Sequence, residues 1–255
     1  MPDTNEPIDI LYRFGFDPQT DDYKVVKLIC RLKQPPYIHP DLAFVTILYV
    51  VKDWLPVEVY SMRKGSWEQV TQKVPSHVGR IYDDEEVCGD GHDGHVHWVC
   101  ELAEMGDQHT ILAFDLGLQT FSEISIPADQ NDIVFRSFVL GVLGGKLCVM
   151  FKVANGDCEV WVLDEYGVAE SWVKHHQFSQ FRDIDQFGFT LHNEFICAAY
   201  NRLAFYDPIA EKVKSSNIRA RLLGKGKIVQ YMDSLVWIVP PRSEINCCSI
   251  SSLQI

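Results

Sequence analysis

The sequence has little that would anchor it, export it or make it an enzyme of a common class. No apolar run approaches the roughly 18 residues needed to span a bilayer. The most apolar stretch, Leu42 to Val51, is bounded by Asp41 and Lys52. The N-terminus, MPDTNEPIDI, is acidic and carries neither a basic region nor an apolar core, so no secretory signal is read there. Basic residues are scarce, 23 Lys and Arg against 35 Asp and Glu, giving a formal charge of −12. That field repels phosphate backbones and excludes nucleic acid as the default partner; a basic protein surface is favoured instead. The chain contains no Gly-x-Ser-x-Gly elbow, no His-Glu-x-x-His and no Gly-x-x-x-x-Gly-Lys-Ser/Thr loop. Long helical periodicity is also missing, because Gly or Pro interrupts most windows in which apolar residues could recur at helical spacing.

Eight cysteines are present, and none forms a Cys-x-x-Cys pair. Several lie inside apolar runs, as Cys148 does between Leu147 and Val149, so they read as small buried hydrophobes in a reducing compartment, cytoplasmic or nuclear. Cys88, His92, His95, His97 and Cys100 include the residue types that zinc accepts, but their spacing is poor, and His95 and His97 fall on one strand face. Gly89 to Gly94 lacks the closing Glu of a calcium loop and reads as a hairpin turn. The basic turn Gly224-Lys225-Gly226-Lys227 is no phosphate cradle, and the acidic pairs Asp21-Asp22 and Asp83 to Glu86 read as solvated loops. No metal or cofactor is expected.

What is abundant is a repeat. Val57-Glu58-Val59-Tyr60 leads through a polar turn to Trp67, and Ile111-Leu112-Ala113-Phe114-Asp115 leads to Phe121. Val160-Trp161-Val162-Leu163-Asp164 leads to Trp172, and Leu203-Ala204-Phe205-Tyr206-Asp207 leads to Val213. The closing residues are about 40 to 55 positions apart, the spacing of propeller blades. Each copy reads as a hairpin, with period-2 apolar alternation and Asp, Gly or Pro in the turn. Upstream runs Val96 to Cys100, Gly145 to Phe151 and Glu194 to Tyr200 supply inner strands. Trp67 and Trp172 are expected in the core. A further hairpin at 227–239 has no outer pair after it. The expected architecture is therefore all-β: an incomplete kelch-like β-propeller of about four blades plus a closing hairpin. Residues 1–11 form an N-terminal segment, 12–239 the propeller-like domain, and 240–255 a tail.

These residues resemble the F-box-associated domain of plant F-box proteins, the F-box/kelch-like group that includes the S-locus F-box proteins. The resemblance rests on Phe14-Gly15-Phe16-Asp17-Pro18 with Asp22 to Val26, Val57 to Ser61 with Trp67, and His97-Trp98. Ile111 to Leu116 with Phe121 to Ile124, Leu143 to Cys148, and Val160 to Gly167 with Glu170-Ser171-Trp172 complete it. It implies a substrate receptor of an SCF-type ubiquitin ligase, a non-catalytic module that holds a target protein. The family's F-box and its first strand unit are not found ahead of Tyr12. The Skp adaptor and cullin are therefore expected as partners only where an F-box is supplied. The alternatives are a propeller-fold glycosidase or lactonase, which would gather inward-facing carboxylates, and a binding protein outside any ligase. Rigid strands present variable loops, and the longest interruptions supply the candidate contacts: Tyr37 and His39 in one, and His77, Arg80, Tyr82 and Asp83 in the stretch Ser76 to Glu86.

Overall fold

A computed structural model describes residues 7–33, 50–82, 93–103, 108–127, 133–153, 157–178, 185–189, 194–199, 202–207 and 212–219. Tyr37, His39, Asp83, Cys88, His92, the 224–227 turn, the 227–239 hairpin and the 240–255 tail lie outside them. The described residues form four antiparallel sheets in chain order. The first contains β1 (Ile8–Asp17), β2 (Asp22–Lys33), β3 (Val50–Trp54), β4 (Glu58–Ser61) and β5 (Ser66–Gln69); the second contains β6 (Val78–Tyr82), β7 (His95–Leu102), β8 (His109–Asp115) and β9 (Thr120–Ser125). The third contains β10 (Ile133–Leu143), β11 (Lys146–Val153), β12 (Cys158–Leu163) and β13 (Trp172–Phe178). The fourth contains β14 (Asp185–Phe189), β15 (Phe195–Ala199), β16 (Arg202–Asp207) and β17 (Lys212–Arg219). This is the all-β propeller architecture that the repeat predicts, one sheet to a blade.

The first blade is also four-stranded in effect. β3 and β4 both pair with the same edge of β2, one along Cys30 to Lys33 and the other along Lys24 to Lys27. They are one strand interrupted at Leu55-Pro56-Val57, where Pro56 has no amide to donate to the ladder. The inner strands expected in the runs from Val96, Gly145 and Glu194 correspond to β7, β11 and β15, which are the second strands of their sheets, with β6, β10 and β14 ahead of them. Strand β1 begins at Ile8, within the segment set apart from the domain in the sequence reading.

The sheets stack face upon face through three apolar interfaces. Val26, Leu28, Val57 and Val59 of blade 1 meet Val96, Trp98, Leu112 and Phe114 of blade 2. The opposite side of blade 2, with Val99, Ile111 and Ile124, meets Leu140, Val149, Phe151 and Trp172 of blade 3. Blade 3 in turn sets Cys148, Met150 and Val160 against Phe195 of blade 4. The period of two makes this possible: on β2 the inward set is Asp22, Lys24, Val26, Leu28 and Cys30, and its alternates lie on the other face.

Two expectations are corrected by this packing. Trp172 is buried at 8% exposure, as a core residue should be, but Trp67 is 47% exposed. It packs beside Tyr60 and under the Lys27 ammonium, on the face of blade 1 turned away from blade 2. Asp22 is no solvated loop acid either; it is buried at the start of β2.

Candidate functional site

Strand direction alternates, so the turns β1–β2, β4–β5, β8–β9 and β12–β13 gather at one end of the sheets, and the strand ends flanking 34–49 and 70–77 lie at the other. The turn end is where buried charge concentrates. Lys24 lies at an inward position of β2, and its Nζ donates to Asp17 Oδ2 at 2.7 Å and to the Leu116 carbonyl of blade 2 at 2.8 Å. Asp17 also accepts from Thr20 Oγ1 and from the Gln19 amide. Burial alone would raise the Asp17 carboxyl, but the hydrogen bonds from Lys24, Thr20 and Gln19, together with the Lys24 charge, outweigh it and hold the group below its ordinary value. Asp22 accepts from Ser61 Oγ at 2.5 Å and from the Arg63 amide at 2.8 Å, tying the first hairpin turn to the second. Between these turns is a cavity of about 140 Å³ lined by Thr20, Asp22, Lys24, Ser61, Arg63 and Gln119 among others.

A second polar group joins blades 2 and 3. Tyr166, in the β12–β13 turn, hydrogen-bonds His97 Nε2 at 2.8 Å and packs against the His95 ring at 4.6 Å. His95 faces Asp115 at 3.4 Å, and its Nδ1 lies 2.9 Å from the Asp93 carbonyl. Burial, with the Asp115 and Asp93 charges behind it, pushes the Tyr166 phenol well above its ordinary value and keeps it neutral. Blade 1 reaches the same place: Arg13 Nε donates to the His97 carbonyl at 3.3 Å, and its guanidinium lies over the Trp98 ring. His97 is thus a packed histidine, and it and His95 share a face, as their spacing implies. Among the described residues no group of three or more His, Cys, Asp or Glu is placed to hold a metal ion.

Among the described residues, the buried carboxylates Asp17, Asp22, Asp157 and Glu159 are each hydrogen-bonded within the protein: Asp157 accepts from Gln177, and Glu159 accepts from Lys174 and Trp161. Around the fastened junction, Thr20, Asp21, Arg63, Lys64 and Leu118 stand exposed on their turns.

Of the candidate contact residues, Tyr37, His39 and Asp83 lie outside the described residues, and His77, Arg80 and Tyr82 are described. His77 is exposed, with its Nε2 2.8 Å from Glu123 Oε1, and its carbonyl accepts from the Ala103 amide. Arg80 and Tyr82 lie within strand β6, where the sequence reading has a loop. The reason is a bulge: the pairing with β7 shifts between Val78 and Arg80, so Val78 and Ile81 both turn inward and the period-2 signal is lost. Gly79 lies at that bulge because an added Cβ would sit 2.8 Å from the Ala103 backbone. The sequence reading missed Lys24, Asp17 and Tyr166. Only Lys24 left a trace, a cation in register with Val26, Leu28 and Cys30 and so bound to need a buried partner.

Comparison with known proteins gives a consistent result. The profile of the F-box associated beta propeller domain matches residues 2–227. Among curated relatives from Arabidopsis thaliana, F-box protein CPR1 is 27% identical over 71% of this chain and 43% of its own length. F-box protein At4g22390 is 28% identical over 65% of this chain and 39% of its own, and F-box/kelch-repeat protein At3g23880 is 28% identical with the same coverage. The chain therefore spans about two fifths of the length of the relatives it matches. A solved structure, TolB from Acinetobacter baumannii, superposes with a TM-score of 0.42 at 8% identity, over 82% of this chain and 43% of its own, too loosely to carry an argument.

Proposed function

Because the chain belongs to the F-box associated β-propeller domain family, we propose that it is a protein-interaction module that holds a target protein for ubiquitination by an SCF-type ligase. The observation that carries this reading is the turn-end junction. Its buried polar groups join blades, through Lys24 to Leu116 and His97 to Tyr166, while polar turn residues around it stay exposed. Such an arrangement makes a stiff platform that recognises by surface. The net charge of −12 favours a target with a basic face, attracted before contact and with a rate that falls as salt rises. We assign the target contacts to the connections between strands, including those that carry Tyr37, His39, His77 and Asp83; Arg80 and Tyr82 contribute from the adjoining strand. The Skp adaptor and cullin join only through an F-box, so the work of this module is in the cytoplasm or nucleus, wherever the ligase meets the target.

The test is reconstitution. The chain with an F-box fused ahead of Met1 should assemble with Skp adaptor and cullin. It should capture from native tissue the same protein that the unfused chain captures, and ubiquitinate it only when fused. Tight adaptor binding by the unfused chain, or a captured protein that the fused ligase leaves unmodified, would overturn the reading.

A further inference from the structure

The cavity at the turn end, about 140 Å³, has room for roughly four waters by liquid volume. Asp22, Lys24, Val59 and Ser61 form its buried wall. Its charges cancel in pairs: Lys64 lies on Glu68 at 2.8 Å and Lys24 on Asp17 at 2.7 Å, while Asp22 is balanced by Arg63, whose amide it accepts. A lining without net charge favours an uncharged occupant, since a buried ion needs a counter-charge. What the wall keeps is hydrogen-bonding capacity. An ammonium has three hydrogens, and Lys24 directs two of them, to Asp17 and to the Leu116 carbonyl. A carboxylate offers about four acceptor sites, and Asp22 uses one on each oxygen, for Ser61 and for the Arg63 amide. A buried donor and a buried acceptor therefore border one space.

Gln119 is an independent pointer to the same space. It ends the β8–β9 turn at φ 56°, in the left-handed region, where its amide donates to the Asp115 carbonyl. The equivalent residue of the β4–β5 turn, whose amide donates to the Ser61 carbonyl, is Gly65 at φ 65°. Glycine fits that conformation without strain. Here the position carries a carboxamide instead, and it borders the cavity.

We propose that this cavity is a binding site for an uncharged carboxamide, the side chain of an Asn or Gln on the target protein. The carboxamide oxygen accepts from Lys24 Nζ, its NH2 group donates to Asp22, and Gln119 borders it at the rim. A carboxamide places an acceptor and two donors on adjacent atoms with no net charge, and both buried contacts are charge-assisted. A cation would meet the Lys24 ammonium and an anion the Asp22 carboxylate. That the group belongs to a target rests on the target-holding role proposed above; the site itself rests on the cavity.

Nuclear magnetic resonance titration of the full chain with propionamide, the Gln side chain as a free molecule, tests this. Saturable amide shifts should appear at 17–24, 61–68 and 117–119. Propionate and propylammonium should bind at least about tenfold more weakly, because each leaves one buried partner unpaired. Gln119→Gly, which suits the left-handed backbone and removes the carboxamide, should keep the fold and weaken propionamide about threefold or more. Asp22→Asn should weaken it further. A Gly-Gln-Gly tripeptide blocked at both ends should bind as tightly as propionamide, and blocked Gly-Met-Gly should not. Binding of propionamide but not of the Gln peptide would give the site to a free amide and overturn the assignment to a target side chain. No saturable shift, equal binding of the charged probes, shifts centred elsewhere, or undiminished binding by Gln119→Gly would overturn the site. The titration uses neither F-box nor target, so its failure leaves the ligase reading standing, and a failed reconstitution leaves the site standing.

Discussion

Trp67 and Trp172 stand at matching places in the repeat, each within the first two residues of the last strand of a hairpin, yet one is half exposed and the other buried. The pairings are equivalent: Tyr60 faces Trp67, Phe114 faces Phe121, and Leu163 faces Trp172. What differs is the neighbour. Trp172 packs against blade 2 and donates its indole N–H to the Ser125 carbonyl at 2.8 Å, and Phe121 leans on blade 1 in the same way. Trp67 belongs to the first blade, and no described sheet precedes it. A repeat position sets which way a side chain points; the sheet in front of it decides whether it is core.

The largest effect that sharpens this contrast is Trp172→Ala, expected to cost about 3–5 kcal/mol in chemical denaturation, the range for removing a buried aromatic. A value within about 1 kcal/mol of zero would show that the blade 2–blade 3 interface is not packed as described. Next is Lys24→Met, which leaves Asp17 buried without its cation and should cost about 3 kcal/mol. Its signature is pH. Asp17 titrates lower when folded than when unfolded, so its contribution is complete above about pH 4 and is lost as pH falls through the folded value. Asp17→Asn should therefore flatten the acid limb of the stability profile and leave its slope near neutral pH unchanged; equal slopes in both ranges would contradict the pair. Trp67→Ala, which gives up its packing on Tyr60 and Lys27, should cost about 1 kcal/mol or less. A loss as large as that of Trp172→Ala would erase the contrast. The smallest effect belongs to Lys64→Ala, which breaks an exposed pair with Glu68 and should shift stability by about 0.5 kcal/mol or less.

Much of the fold was legible because it is written in local alternation. The hairpins β4–β5, β8–β9, β12–β13 and β16–β17 carry period-2 apolar runs with Asp or Gly at the turn, and they form where the repeat places them. Asp115 shows why the turn residue matters: its Oδ1 accepts from the Gly117 and Leu118 amides and fixes the reversal. Strands were lost where alternation breaks, at the β6 bulge around Gly79 and at the interruption of β3–β4 by Pro56. The junction was the least legible part. Lys24 and the Leu116 carbonyl are 92 positions apart, and His97 and Tyr166 are 69 apart. Nothing local in either segment specifies such a meeting; stacking of whole sheets brings it about. Among the cysteines whose side chains are described, Cys30, Cys100, Cys148 and Cys158 are buried thiols, as the reading of the eight expects, and burial pushes Cys30 up to about 11.

The central claim, that consecutive sheets stack as blades and bury both faces of the inner ones, is tested most directly by native-state amide hydrogen exchange. The slowest amides are expected in β7, β8, β11 and β12, whose sheets are covered on both sides, with faster exchange along the outer strands β5, β9 and β17. Protection that is uniform across all strands, or greatest in the outer ones, would contradict the stacked-blade account.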